Sequence, residues 1–276
     1  MSTTPKWTGD ELVVLSPDHP GFHDAEYRAR RNAIAKLSLE YDGTGPVPVV
    51  EYTEGEHAAW REVWNVLVPA HEKFACKEYK DCSTLLLLDR ERIPQLCDVN
   101  ERLQPCQGFV MHPVGGLIKA KYFLRYLGDS VFLSTQYVRH HTRPFYTPEP
   151  DIVHELIGHA ATLADPFFAQ LSRLFGKAAQ ATNDPGVLLR LERLYWFTLE
   201  FGVVDQGGPK AYGAGLLSSY GELERFAKEE ELRPFDIEEI IEHDYDPTDY
   251  QSVLYVVDNI AAASEMIARW LGRRAA

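Results

Sequence analysis

A chain of 276 residues, 45% of them hydrophobic, can bury one large core, and no Pro/Gly/Ser-rich linker divides it, so a single catalytic-size domain over residues 1–276 is expected. The formal net charge of −13, from 28 Lys and Arg against 41 Asp and Glu, disfavours nucleic acid and anionic membranes as partners. No apolar stretch is long enough to span a bilayer and residues 1–6 are not followed by a signal-peptide core, so a cytoplasmic protein is expected.

Apolar periodicity predicts a mainly α fold, of the α+β kind with small β pieces. Gly43-Thr44-Gly45-Pro46 reads as a short loop, and the first long helix is expected over residues 56–74. Cys76, Cys82, Cys97 and Cys106 include no Cys-x2-Cys pair, so reduced thiols are expected rather than a zinc site. Strands are predicted at 108–112 and 131–132. On their own, Gly115-Gly116 would be a turn, Phe123 a core residue and Arg139 a surface cation.

Tyr146-Thr147-Pro148-Glu149-Pro150 then gives an extended approach to a helical segment for which Asp151 serves as N-cap or first-turn residue, with Val153, Leu156 and Ile157 as its apolar face. His154 and His159 lie on this segment at i and i+5. On an ideal α-helix that spacing separates them by about 140°, so a shared metal would sit beside the helix and need a third ligand from elsewhere. Two imidazoles and a carboxylate form the facial triad of non-haem Fe(II) oxygenases. The alternatives are two ordinary polar contacts, or a zinc hydrolase with Glu155 as base, although zinc-protease histidines are spaced i and i+4.

Helices are expected over 166–181 and over 188–201, the second beginning after Asn183-Asp184-Pro185-Gly186 and stopping at Gly202. Glu200 sits near its end among Trp196, Phe197, Leu199 and Phe201, where an ionised carboxylate is costly unless paired or metal-bound. Glu192, flanked by Arg190 and Arg193, reads as a solvated helix charge, which leaves Glu200 as the expected third ligand. Lys228-Glu229-Glu230-Glu231 and Asp236-Ile237-Glu238-Glu239 read as solvated helix faces, a strand is predicted at 254–257 and a last helix at 260–271, with residues 268–274 fraying.

Several of these segments together resemble the catalytic core of the tetrahydrobiopterin-dependent aromatic amino acid hydroxylases: Thr135-Gln136-Tyr137-Val138-Arg139-His140, residues 146–151, residues 154–159, Tyr195-Trp196-Phe197-Thr198-Leu199-Glu200-Phe201-Gly202 and residues 210–222. Upstream, Asp18-His19-Pro20-Gly21-Phe22, Tyr27-Arg28-Ala29-Arg30-Arg31 and Ile93-Pro94-Gln95-Leu96 also match, so the resemblance runs from about residue 18 to about residue 257.

It implies that His154, His159 and Glu200 hold Fe(II), where a tetrahydropterin such as tetrahydrobiopterin and O2 supply the oxidant for the ring. It further implies that Phe123 stacks on the pterin, that Gly116, Leu117 and Ile118 present backbone groups to it, and that Glu155 reaches it as part of the catalytic set. Arg139 is implied to grip the carboxylate of the amino acid, supported by Asp151, with Thr147 and Ser218 as polar contacts and Trp196, Pro150 and Phe201 as apolar walls. Tryptophan at position 196 favours a benzene ring over an indole, and Pro247 falls where phenylalanine-directed relatives carry an apolar residue and tyrosine-directed ones an aspartate. L-Phenylalanine to L-tyrosine is therefore the expected reaction; tyrosine or tryptophan hydroxylation, or another ring position, is the alternative. Ala120 and Leu133 depart from the family, each replacing a residue with a polar group. Eukaryotic relatives carry a regulatory domain and an oligomerising helix for which this chain has no room, so a monomeric catalytic domain is expected.

Overall fold

The computed structural model describes residues 13–145, 147, 149–247 and 249–275. Its first half contains α1 (Ala25–Glu40), α2 (Glu54–Phe74), α3 (Lys77–Ser83), α4 (Leu96–Gln107), β1 (Val110–Pro113), α5 (Ala120–Leu127) and β2 (Val131–Ser134). A π-helical turn (His154–Ala160) opens the second half and runs into α6 (Ala161–Leu163), followed by α7 (Pro166–Gln180) and α8 (Pro185–Tyr195). A second π turn (Trp196–Glu200) continues α8, and β3 (Val203–Asp205), β4 (Pro209–Ala211), α9 (Ala214–Ser218), α10 (Tyr220–Arg225), β5 (Glu231–Pro234), α11 (Ile237–Ile240), β6 (Val253–Val257) and α12 (Ile260–Ala275) follow.

The long helices start where local chemistry supplies their orphan amides with acceptors. Thr53 and Glu56 form a reciprocal capping box at α2, with the Glu56 amide donating to Thr53 Oγ1 at 3.2 Å and the Thr53 amide to Glu56 Oε2 at 2.7 Å. Asp165 and Asp184 cap α7 and α8, each followed by proline at the first helical position, where no amide partner is missed. Trp60, Val63, Trp64, Leu67 and Phe74 then fall on one face of α2 and are buried. The α5 end closes on α7 because Gly176 has no side chain: a Cβ there would stand 1.9 Å from the Gly128 amide nitrogen.

Strands are few. β1 and β2 pair in parallel, Val110 opposite Val131, and a four-stranded sheet runs β4-β3-β6-β5, antiparallel between β3 and β4 and parallel elsewhere. The main core cluster joins α2, α7 and α8 to both π turns through side chains such as Trp60, Phe168, Phe175 and Phe197.

Three expectations need correction. Glu231 begins a β-strand after a turn, so the run 228–231 is not a helix face, and only the short α11, capped by Asp236, matches the helical reading of 236–239. The C-terminal segment is helical, α12 continuing to Ala275, with Trp270 7% and Leu271 1% exposed in the main core. The segment bearing His154 and His159 is π-helical rather than α-helical, which changes its geometry.

Candidate active site

In a π turn the hydrogen bond runs from residue i to i+5, which brings residues five apart onto one face. The ideal α-helical separation therefore does not apply, and the Nε2 atoms of His154 and His159 stand 3.0 Å apart with their rings nearly perpendicular. Asp151 Oδ1 accepts from the His154 amide at 3.2 Å, and the fully buried Ile152, Val153, Leu156 and Ile157 anchor the element in the core while His154 stays partly exposed. Glycine at 158 allows α9 to approach, since a Cβ there would lie 2.7 Å from the Ala214 carbonyl oxygen.

Glu200 arrives from the second π turn, closed by the Phe201 amide donating to the Trp196 carbonyl at 2.8 Å. Its Oε1 lies 2.9 Å from His159 Nε2 and its Oε2 3.6 Å from His154 Nε2. Glu155 also comes close, with its carboxylate and the two imidazoles all within 4.8 Å of one another. Its Oε1, however, accepts from both the amide and the hydroxyl of Thr135, each at 3.0 Å. Glu200 is nearer to both rings, so His154, His159 and Glu200 form the better donor set.

The environment prepares these groups differently. Ser218 Oγ donates to the Ala214 carbonyl at 2.8 Å, so in its 2.9 Å contact with His154 Nδ1 it is the acceptor. His154 then carries its proton on Nδ1 and presents a bare Nε2 to the centre, the tautomer a metal requires. Burial, helped by His159, pushes His154 down to about 4, so the ring is neutral at ordinary pH. Burial works against Glu200, but His159, His154 and a hydrogen bond from Tyr195 outweigh it and hold the carboxyl below its usual range. His159 is likewise lowered by burial and then raised above its ordinary value by Glu200. Glu155 is pushed by burial up to about 7 despite the two bonds from Thr135.

These groups open onto a cavity of about 180 Å³. Its lining includes Gly116, Leu117, Ile118, Phe123, Thr135, Pro150, Tyr195 and Trp196. Phe123 is held edge-on by Phe132 and Tyr195, with ring centroids at 5.2 and 5.7 Å. A Cβ on Gly116 would meet nothing within 4 Å, so the backbone there lies beside open space. Ala120 and Leu133 are wall residues of the same cavity.

Other expected residues lie outside that lining. Arg139 is buried and clasps Asp151 through Nη2 at 2.7 Å and Nε at 2.9 Å, while its Nη1 donates to the Pro144 carbonyl at 3.2 Å. Ser218 reaches His154 rather than the cavity, and Phe201 is tilted against Trp196 at 4.7 Å. The Thr147 hydroxyl donates to the Glu149 carbonyl at 2.9 Å, and Pro247 is exposed in a turn. Tyr146, Pro148 and Thr248 lie outside the described residues.

Glu192 is a correction: it lines the cavity and accepts from the Tyr245 hydroxyl at 2.6 Å. Its flanking arginines point elsewhere, Arg190 to Glu242 and Arg193 to Asp244 and the Ile241 carbonyl. A usable signal was present, since Glu192 stands three and four residues before Tyr195 and Trp196 and so shares their helix face. Tyr245, stacked on Trp196 at 4.2 Å, was visible only as part of a loop.

Two imidazole nitrogens and a carboxylate, gathered by π turns in the wall of a cavity with aromatic lining, are the donor set of the mononuclear non-haem iron oxygenases. The chain belongs to the biopterin-dependent aromatic amino acid hydroxylase family, whose model matches residues 10–273. It is 42% identical over 262 residues to the phenylalanine-4-hydroxylase of Caenorhabditis elegans, covering 93% of this chain and 57% of that one. It is 43% identical over 265 residues to human tyrosine 3-monooxygenase, covering 94% and 50%. The chain thus spans about half the length of the curated relatives it matches. A crystal structure of Chromobacterium violaceum phenylalanine hydroxylase with bound Fe(III) superposes with a TM-score of 0.79 at 28% identity, over 87% of this chain and 90% of that one. A second structure of that enzyme holds iron(III) and oxidised 7,8-dihydrobiopterin, and superposes with a TM-score of 0.78 at 28% identity, over 87% and 90%.

Proposed function

We propose that this chain is an Fe(II)- and tetrahydropterin-dependent monooxygenase that uses O2 to hydroxylate the ring of an aromatic amino acid, with L-phenylalanine converted to L-tyrosine. The observation that carries the reading is the convergence of His154, His159 and Glu200 in the lining of a cavity that Phe123 also lines. Fe(II) bound there, with reduced pterin and O2, supplies the oxidising chemistry. The protein's task is to bind, orient and exclude water.

In this reading Ser218 fixes the His154 tautomer, and Phe123 offers its face to the pterin beside the backbone of Gly116, Leu117 and Ile118. Glu155, poised near neutrality, serves the pterin as acceptor when ionised and as donor when protonated. Arg139, oriented by Asp151, takes the substrate carboxylate with the donors that Asp151 leaves, next to Thr147. Pro150 and Trp196 face the ring, with Phe201 behind Trp196. Phenylalanine is favoured over tyrosine by the apolar Pro247, and over tryptophan by the bulk of Trp196. The acidic surface supports small-molecule partners over nucleic acid or membrane, and no helix among the described residues is long and apolar enough to cross a membrane. A cytoplasmic monomer completes the proposal, and light scattering of the purified chain tests its oligomeric part.

The reading is tested by supplying Fe(II)-loaded protein with tetrahydropterin and phenylalanine, tyrosine or tryptophan in separate reactions. Tyrosine formed from phenylalanine with the largest kcat/KM supports it. Preferential hydroxylation of another amino acid, or metal-dependent hydrolysis that needs no O2, contradicts it.

A further inference from the structure

We propose that Glu192 is a recognition point for a hydrogen-bond donor on a bound ligand, an alcohol or an ammonium, and that Tyr245 holds its carboxylate ready. The inference rests on the reading of the cavity as a pterin and amino-acid site. Glu192 is half-buried in α8 and lines the same cavity as the metal-binding set. Leu117, Ile118, Phe123 and Trp196 of the same lining carry no charge, and the two histidines of that lining face Glu200. Arg190 and Arg193, the nearest cations in sequence, are engaged with Glu242 and Asp244.

Tyr245 supplies one donor at 2.6 Å and is itself fixed by stacking on Trp196, with ring planes 16° apart. A carboxylate accepts about four hydrogen bonds, so a single neutral donor leaves most of its capacity open. Carboxylates facing apolar walls are costly without a partner, and a ligand that brings a donor relieves that cost. Glu192 stands in α8, about two helical turns before Glu200 and outside the π turn that carries it, so its partner is a peripheral group of the ligand rather than the reacting atoms. Two such groups are available in the proposed ligands: the hydroxyls of a pterin's C6 substituent and the ammonium of the amino acid.

The test is anaerobic calorimetric titration of Fe(II)-loaded wild type, Glu192→Ala and Tyr245→Phe with tetrahydrobiopterin, 6-methyltetrahydropterin and L-phenylalanine. Loss of a hydrogen bond to a charged group predicts that Glu192→Ala weakens one ligand by about tenfold or more. A loss confined to tetrahydrobiopterin, which carries the hydroxyls that the 6-methyl compound lacks, identifies the alcohol. A loss confined to L-phenylalanine identifies the ammonium. Tyr245→Phe keeps the carboxylate and retains most of the affinity. The proposal is overturned if Glu192→Ala leaves all three affinities within about twofold of wild type, or if Tyr245→Phe reproduces the whole loss, since Glu192 would then only support the wall. Wild-type protein that binds none of the three contradicts the pterin reading itself, and this site with it.

Discussion

Ser218 has a single hydroxyl proton, directed at the Ala214 carbonyl, and its contact with His154 therefore decides which imidazole nitrogen is bare. Removing such an outer partner typically costs about 10–100-fold in metal affinity, so Ser218→Ala is expected to weaken Fe(II) binding by that factor while His154→Ala abolishes it. Equilibrium dialysis reads both, and an unchanged affinity in Ser218→Ala would break the tautomer argument. Phe123→Ala is expected to raise the Kd for tetrahydropterin about tenfold with little change for the amino acid, because the lost face belongs to the pterin. Equal losses for both ligands would argue that Phe123 only supports the core. At this scale the sequence was readable where burial made a charge expensive, as at Glu200. It misled at Glu192, where two flanking arginines suggested solvent and the helix turned them away from it.

The π turns are the elements on which the site depends, and they were not legible. Nothing in the residue types of 154–160 distinguishes an i+5 from an i+4 bond, because the choice is made by what packs around the turn, α9 above all. The i+5 spacing of the histidines was the available clue, and an α-helical wheel turned it into an argument for separation. Helices with capping residues were legible: α2, α7 and α8 each begin within a few residues of their expected starts. β3, β4 and β5, of three or four residues, display no period and were missed, whereas β1 and β2, which are no longer, were anticipated at 108–112 and 131–132. Gly158→Ala tests the element directly. Its Cβ would press on the Ala214 backbone, so the turn must move off α9 at a cost of about 1–3 kcal/mol, with a lower Tm and weaker iron binding together. A variant of wild-type Tm and iron affinity would show that the close approach is dispensable.

For the molecule as a whole, buried carboxyls make stability depend on pH. Burial, with Glu230 adding to it, raises Glu222 from 4.5 to about 8, so the folded state holds its proton over a range in which the unfolded chain has released it. The resulting stabilisation is full below pH 4.5 and is lost as pH rises to about 8. Glu222→Gln removes this titration, so thermal unfolding of the metal-free variant should lose less stability than wild type between those limits. Parallel curves would place the pH dependence elsewhere. The same region ties the loop of residues 242–251 to the cavity, since Gln251 accepts from the Trp196 indole at 2.9 Å and donates to the Asp246 and Asp249 carbonyls. The global architecture follows from few signals: capped amphipathic helices, one dominant core and short strands that serve mainly to connect.

The most direct test of the central claim is hydroxylation of L-phenylalanine under 18O2, with mass analysis of the product from wild type and Glu200→Ala. The account predicts tyrosine carrying one labelled oxygen, formed only when Fe(II) and tetrahydropterin are both present and absent in Glu200→Ala. Product formed without iron or pterin, product whose new oxygen comes from water, or full activity in Glu200→Ala would contradict it.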